Sequence, residues 1–97
     1  MAFIQIMEMK TSRIDELLAL EEEWKKATEG RRTLRRSIVA KDRKDPNSHV
    51  IMVFFDSYES AMENSNLPET QAFAEKQAKL LDGPVTFHDL DVIDDWS

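Results

Sequence analysis

The sequence contains no cysteine, which excludes disulfide bonds, thiolate nucleophiles and cysteine-based metal sites. Positive charge is also scarce, because 13 Lys and Arg residues stand against 19 Asp and Glu residues and give a formal net charge of -6. A general nucleic-acid binder is therefore disfavoured, since phosphate affinity comes mainly from clustered Lys and Arg. The sequence also lacks internal repeats, low-complexity tracts and linker-like segments.

Long hydrophobic runs are missing too. No apolar run approaches the roughly 20 residues that a membrane-spanning helix needs. The N-terminal stretch MAFIQIMEMK is apolar for only a few residues and reaches Glu8 early, so it lacks the basic and apolar regions of a signal peptide. We expect a cytoplasmic protein that contacts neither a membrane nor nucleic acid.

The sequence does contain enough apolar material for one core. Its 97 residues are 41% hydrophobic and include two Trp and five Phe. This length and composition suit one domain, spanning residues 1–97.

Hydrophobic periodicity predicts strands and helices in alternation. The predicted strands are 3–9, 33–41, 49–55 and 85–93, and 42–48 is a predicted loop; the predicted helices are 12–30, 57–64 and a third that runs from Pro68 to a stop at Gly83-Pro84. With the short helix 57–64 leading into the third, the order is β-α-β-β-α-β. This order predicts an α+β fold of the ferredoxin-like type, an antiparallel sheet with helices packed on one face.

The predicted helix starts carry local signals. Ser12 with Asp15, and Asp56 with Glu59, have the spacing of a capping box, in which each side chain satisfies a free backbone N–H of the first turn. Pro68 suits a first turn because its missing N–H would have no partner there. We therefore expect all three helices to begin at these residues.

The two central strands, 3–9 and 49–55, are apolar on both sides, although helices on one face would cover only one of them. We assign to the uncovered side the residues Phe3, Met7, Ile51, Val53 and Phe55. An apolar patch of this kind marks an interface or a ligand groove, and its burial favours a symmetric homodimer. A pocket for a small apolar or aromatic ligand would lie between the paired sheets; the alternative is a fully packed interface with no cavity.

The stretches 50-VIMVFFDSYESA-61 and 64-NSNLPETQAF-73 resemble antibiotic biosynthesis monooxygenase domains. Members of that family show a strand that ends in an aromatic residue, then an acidic-Ser-x-Glu-Ala helix start, and a Ser-Pro-x-x-x-x-Phe pattern about ten residues later. The corresponding residues here are Phe55, then 56–61, and Leu67-Pro68 with Phe73. The resemblance covers nearly the whole chain and implies a dimeric α+β barrel with one pocket per subunit. It also implies one of several chemistries, among them oxygenation of aromatic or quinol-like molecules without a cofactor.

Haem-degrading members of this family use an Asn, a Trp and a His at positions that correspond to Gln5, Asn64 and Ala74. Ala74 has no lone pair for iron, so haem degradation by that scheme is disfavoured. Gln5 and Asn64 could instead donate hydrogen bonds to a substrate anion. Each also has a plainer interpretation: Gln5 as a hydrogen-bonding group of a dimer interface, and Asn64 as a helix-ending residue that tolerates left-handed backbone angles.

The general bases available near neutral pH are His49 and His88. They form no metal-ligand pattern, and no metal is expected. We expect His88 either to make a structural hydrogen bond or to act in catalysis with Asp89 as its orienting carboxylate. Arg35 or Arg36, whichever faces the barrel, would hold an anionic ligand oxygen; alternatively, one of them pairs with the acidic C-terminal run 89-DLDVIDDW-96.

These expectations define a candidate site. Its catalytic candidates are His88, Asp89 and Gln5, and its ligand-binding candidates are Phe3, Met7, Arg35, Ile51, Val53, Phe55 and Asn64. Three functions fit the sequence: a cofactor-independent monooxygenase acting on a small aromatic or quinol-like molecule, a non-catalytic dimeric ligand-binding or accessory protein, and a small-acid isomerase that uses His88 with Asp89.

Overall fold

The computed structural model describes residues 2–97. In chain order its elements are β1 (Phe3–Lys10), α1 (Ile14–Ala27), β2 (Arg36–Lys41), β3 (Ser48–Phe55), α2 (Tyr58–Ser65), α3 (Pro68–Ala78) and β4 (Thr86–Asp91). The strands form one sheet in the order β2-β3-β1-β4, and every neighbouring pair is antiparallel. The predicted ferredoxin-like α+β order is confirmed.

The sheet has two unlike faces, because successive strand residues point to opposite sides. The face that we call the covered face carries Phe3, Ile51 and Phe55, which form one buried core cluster with Leu17 of α1 and Ala61 of α2. The helices therefore lie on one face, as predicted.

The opposite face, which we call the uncovered face, is also apolar. It carries Ile4, Ile6, Met52 and Phe54, which are half-buried and stand outside the core cluster. Ile6 of β1 lies opposite Met52 of β3 on one side and opposite His88 of β4 on the other. Met52 in turn lies opposite Ile38 of β2. The expectation that both sides of the central strands are apolar is thus correct.

The predicted assignment of residues to these faces was wrong. Phe3, Met7, Ile51, Val53 and Phe55 lie on the covered face, where Phe3 pairs in register with Phe55 and Met7 with Ile51. Alternation determines which residues share a side, but with apolar residues on both sides it does not determine which side the helices take. That choice depends on the right-handed connection between parallel strands, here β1, α1 and β2, because β1 and β2 are both antiparallel to the β3 strand between them.

The first two helices start differently from the prediction. Ser12 does not cap α1 with its side chain; its backbone N–H donates to Asp82 Oδ2 at 3.0 Å, while Thr11 Oγ1 accepts the N–H of Arg13 at 3.0 Å. In α2 the N-cap is Ser57, whose hydroxyl accepts the Ser60 N–H at 3.1 Å. The capping signals thus mark both helix starts to within one residue, but α2 has a side-chain cap and α1 has none.

The third helix begins with Pro68 at its first turn, as predicted, but ends at Ala78. A further turn carries the chain to Asp82, whose N–H donates to Lys10 O at 2.8 Å. Gly83 does not adopt a positive φ; among residues 2–97 Gly30 does, with φ 81°, shortly after α1. A bond to β1, rather than a glycine cap, therefore fixes the connection from α3 to β4.

Candidate functional site

A cavity of about 740 Å³ lies between the covered face and the helices. Its floor is made by Met7, Ile51, Val53 and Phe55, and α1, α3 and the segment 32–37 make its walls. This volume falls within the range of small-molecule sites, roughly 300 to 1,000 Å³. The cavity belongs to one chain and is not the space between two sheets that the sequence suggested.

Trp24 and Phe73 close one side of the cavity. Their ring centroids are 6.4 Å apart, so that α1 and α3 meet through two aromatic side chains. Trp24 Nε1 donates to Thr70 Oγ1 at 2.9 Å, which satisfies the indole N–H and holds the ring in one orientation. The wall is therefore apolar and positioned by a hydrogen bond.

A few side-chain amides interrupt these apolar walls. Gln5 Nε2 donates to Asp89 Oδ1 at 3.1 Å, and Asn64 Oδ1 accepts the N–H of Thr33 at a long 3.4 Å. Asn64 is buried at the end of α2. Such groups, placed among apolar ones, are what fixes the orientation of a ligand in a small-molecule site.

Glu21 is the one carboxylate that lines the cavity within residues 2–97. Its burial raises its pKa, and the nearby charge of Lys25 only partly opposes this effect. A carboxylate with a raised pKa binds a proton more readily than an ordinary one. Within the described residues, Glu21 is therefore the one cavity side chain that can exchange a proton as a carboxylic acid.

Cations border the same cavity on its exposed side: Lys25, Arg32, Arg35 and Arg36. Arg35 Nε lies 3.0 and 2.9 Å from the two carboxylate oxygens of Asp56. This contact lowers the pKa of Asp56 and raises the pKa of Arg35. Arg32 donates to the backbone carbonyl of Lys25 at 2.7 Å, which ties the segment after α1 back to the helix.

The structure brings most of the predicted site residues together. The cavity is lined by Gln5, Met7, Arg35, Ile51, Val53, Phe55 and Asn64, and also by Ala74. Phe3 does not line it, because its ring packs edge-on against Tyr58 at 5.5 Å and beside Phe55 at 6.4 Å. The three positions that correspond to the haem-degrading residues, Gln5, Asn64 and Ala74, thus border one space.

His88 and Asp89 are the exception, and their predicted pairing was wrong. His88 lies opposite Ile6 on the uncovered face, where its Nε2 is 2.6 Å from Glu8 Oε2. Asp89 lies opposite Gln5 on the covered face. Adjacent residues of a strand point to opposite sides, so the carboxylate cannot orient its neighbour's ring, and neither residue lines the cavity.

His49 is on the covered face but outside the cavity. It is 2% exposed, and neither ring nitrogen has a hydrogen-bond partner among residues 2–97. Within the same residues, no three His, Asp or Glu side chains are grouped closely enough to hold a metal. None of the helices in this part of the chain is long and apolar enough to cross a bilayer.

Sequence reasoning missed Glu21 and treated Trp24 only as a packing residue. A signal for both was available: Leu17, Glu21 and Trp24 are spaced by four and three residues, so they share one stripe of α1. A single acid inside an apolar stripe is unusual for a solvent-facing charge. The run Glu21-Glu22-Glu23 concealed this signal, because three consecutive charged residues usually indicate a solvent-exposed surface.

Solved structures with this fold span essentially the whole chain. Rv0793 from Mycobacterium tuberculosis is 17% identical with a TM-score of 0.81, and the match covers 100% of both chains. A protein from Chloroflexus aurantiacus named as an antibiotic biosynthesis monooxygenase is 23% identical with a TM-score of 0.77, covering 100% of this chain and 98% of its own. A mutant of SnoaB, a cofactor-independent oxygenase from Streptomyces nogalater, is 9% identical with a TM-score of 0.82, covering 97% and 95%.

These likenesses establish that the chain has the fold of antibiotic biosynthesis monooxygenase domains. No protein-family model and no curated protein matches its sequence.

Proposed function

We propose that the chain is a cofactor-independent monooxygenase that acts on a small aromatic or quinol-like molecule in the cavity between the covered face and the helices. The observation that carries the proposal is the cavity itself: apolar and aromatic walls, four side-chain amides and one carboxylate in a space of about 740 Å³. The oxygenase among the proteins with this fold supports it.

The chemistry requires an electron-rich substrate, because the substrate is the source of every electron. A ring CH2 flanked by phenolic rings becomes a carbonyl: one atom of O2 enters as the carbonyl oxygen, and the other leaves as water with the two hydrogens. The substrate thereby gives up four electrons and O2 accepts four. The chain's part is to bind the molecule, favour its anion and exclude water, and hydrogen-bond donors such as Gln5 and Asn64 suit the anion.

Oxygen uptake tests this proposal. The wild-type protein, incubated with anthrones and dihydroxynaphthalenes, should consume O2 faster than the uncatalysed background, and each anthrone should use one O2 for the one carbonyl that forms from its CH2. Ala74 lines the cavity and Ala72 does not, so Ala74→Phe should abolish the uptake while Ala72→Phe on the same helix should retain it. Equal uptake by both variants, or none by the wild type across the whole panel, would exclude the proposal.

The second candidate function is a non-catalytic ligand-binding or accessory protein. It is favoured by one observation: no histidine lines the cavity within residues 2–97. Tight binding of phenols without O2 uptake is the result that would select it. The isomerase hypothesis relied on His88 acting with Asp89, and the separation of these residues on opposite faces removes its basis.

We also propose that the chain is a homodimer that pairs through the uncovered face. The supporting observation is the half-buried apolar strip formed by Ile4, Ile6, Met52 and Phe54 across the two central strands. Burying such a strip contributes roughly 25 cal/mol per Å². Sedimentation at micromolar concentration should show a dimer, and a well-folded single protomer would contradict this. A cytoplasmic location stays a prediction.

A further inference from the structure

The three consecutive acids Glu21, Glu22 and Glu23 have different surroundings. Glu22 is exposed and forms an ion pair with Lys25 at 2.9 Å, and Glu23 borders a shallow surface groove between α1 and α3. Glu21 is partly buried and lines the large cavity. Its stripe on α1, shared with Leu17 and Trp24, turns toward the sheet.

We propose that Glu21 binds the ionisable hydroxyl of the cavity ligand and accepts its proton. This inference rests on the proposed function, because electron transfer from a phenolic substrate to O2 begins from the substrate's anion. It names a proton acceptor, which that proposal lacked after His88 and Asp89 were found outside the cavity.

Apart from Glu21, the described side chains that line the cavity cannot accept a proton from a ligand hydroxyl. Of the ionisable side chains that line the cavity within residues 2–97, the rest are Lys25, Arg32, Arg35 and Arg36, which are cations at neutral pH and cannot accept a proton. The four lining amides are neutral and of negligible basicity: Gln5, Asn64, Gln71 and Gln77. Only an ionised Glu21 can take the hydroxyl proton directly.

The step itself is a single proton transfer. The O–H bond of the ligand breaks, the proton moves to a carboxylate oxygen of Glu21, and the electron pair stays on the ligand oxygen and spreads into the ring. Burial raises the pKa of Glu21, which makes it a stronger base for this transfer than an exposed carboxylate. The bordering cations favour the anion that results, by opposite charge.

Any pH dependence of this step reports Glu21 together with a small set of charged neighbours. On its own helix these are Glu22 and Lys25, which act on Glu21 directly. Across the cavity they are the three arginines of the segment 32–36. The lining residues that β1, β3, β4 and α3 contribute are uncharged in the described part of the chain, so no second titrating acid or histidine faces Glu21 there.

The test compares Glu21→Gln with Glu23→Gln, which removes the same charge from the same helix outside the cavity. The probe is 4-nitrophenol, whose absorbance shows directly whether its bound hydroxyl is ionised. In the wild type an ionised Glu21 accepts the hydroxyl proton and leaves the bound probe as phenolate, whereas the amide of Glu21→Gln cannot accept it, so the bound probe should ionise at lower pH in the wild type than in Glu21→Gln. We expect at least a tenfold difference in the probe's proton affinity, and no difference between wild type and Glu23→Gln.

A turnover measurement then separates the two proposals. With a substrate that the wild type oxidises, Glu21→Gln should lower kcat by about 10²- to 10⁴-fold, the usual contribution of a positioned base, with little change in KM. In the wild type, kcat should fall at acid pH as Glu21 becomes protonated, and this fall should be absent in Glu21→Gln. Glu21→Asp keeps a carboxylate and should restore part of the rate.

Each outcome bears on one proposal or both. A probe that titrates identically in wild type and Glu21→Gln, both folded by circular dichroism, would overturn the role of Glu21 even if O2 uptake persists. A shifted titration with no O2 uptake by any variant would support Glu21 as the hydroxyl partner and overturn the oxygenase. If 4-nitrophenol does not bind in the wild-type cavity, the proposed role of Glu21 fails, and O2 uptake alone decides the oxygenase proposal.

Discussion

The covered and uncovered faces of the sheet are built from neighbouring residues of the same two strands, yet their surroundings differ. On β3, Ile51, Val53 and Phe55 are buried beneath the helices, while Met52 and Phe54 between them are only half-buried. Both sets are apolar, so residue type alone does not distinguish a side chain that packs in the core from one that is available to contact a second copy of the chain. The difference lies in what packs above each face.

The polar groups of the two faces differ in the same way. Around the cavity above the covered face, the amide of Gln5 and the carboxylate of Glu21, which α1 contributes, lie among apolar walls. On the uncovered face the Glu8–His88 pair is about half-exposed, and exposed pairs contribute little to stability. Chemistry is therefore expected on the covered side and association on the other.

The largest effect should come from Phe55→Ala. Phe55 is 5% exposed and belongs to the core cluster, so its truncation should reduce the free energy of unfolding by about 3 to 5 kcal/mol. Phe54→Ala, one residue away on the uncovered face, is the matched control and should cost the isolated protomer much less. Urea titration at low protein concentration measures both; similar losses would show that the two faces are equally packed.

The next effect tests the uncovered face alone. Met52→Glu places a charge in the apolar strip, and burying it unpaired between two copies would cost several kcal/mol, enough to weaken self-association at least about 100-fold. Met52→Leu keeps the strip apolar and should leave the dimer intact. Analytical ultracentrifugation over a concentration series distinguishes the variants.

Loss of the dimer in Met52→Glu identifies the interface only if the variant protomer is folded. The Met52→Glu protomer should stay folded, and the concentration dependence of its Tm should vanish, because mass action no longer links folding to pairing. A dimer that persists with unchanged affinity would exclude the uncovered face as the interface.

The sequence predicts the elements better than their surroundings. Alternation and helical periodicity locate every strand and helix, because both depend on residues near each other in the chain. They do not determine which side of 3–9 faces the helices, since Phe3 and Ile4 are equally apolar. Glu8 and Lys10 were a usable hint: both are exposed and fall on the side of Ile4, the uncovered one.

The candidate site divides in the same manner. Gln5 and Asn64, identified through the family resemblance, line the cavity, whereas the His88–Asp89 pair, inferred from adjacency in sequence, is separated by strand geometry. Glu21 becomes visible only when α1 is placed over the sheet. The sequence does not show how α1 packs on the sheet, and this packing is why Glu21, but neither Glu22 nor Glu23, lines the cavity.

A smaller effect should follow from Thr70→Val. This change removes the acceptor of the Trp24 indole N–H while nearly preserving shape, and it should cost about 1 kcal/mol, the typical net value of one hydrogen bond. In a Trp96→Phe background, where Trp24 is the remaining tryptophan, its fluorescence should also change because the ring loses its fixed partner. Thr70→Ser keeps the hydroxyl and should resemble the parent; if Val and Ser variants behave alike, the bond does not position the cavity wall.

The smallest effect concerns the Arg35–Asp56 pair, which joins the residue before β2 to the residue after β3 at the border of the cavity. Arg35 lowers the pKa of Asp56 below its ordinary value. A carboxyl with a lowered folded-state pKa contributes stability that is fully present above its unfolded-state pKa, near 3.9. This contribution is lost as the pH falls from there through the folded-state pKa.

Asp56→Asn should therefore lower Tm slightly at neutral pH, and the gap from the wild type should close as the solution is acidified below about pH 4. Added salt should also narrow the gap at neutral pH, because both partners are exposed and exposed charges are screened. Asp94→Asn makes the same charge change in the C-terminal tail and should show no such closing gap. A Tm difference that stays constant from neutral to acid pH would mean that Asp56 acts through its backbone surroundings and not through Arg35.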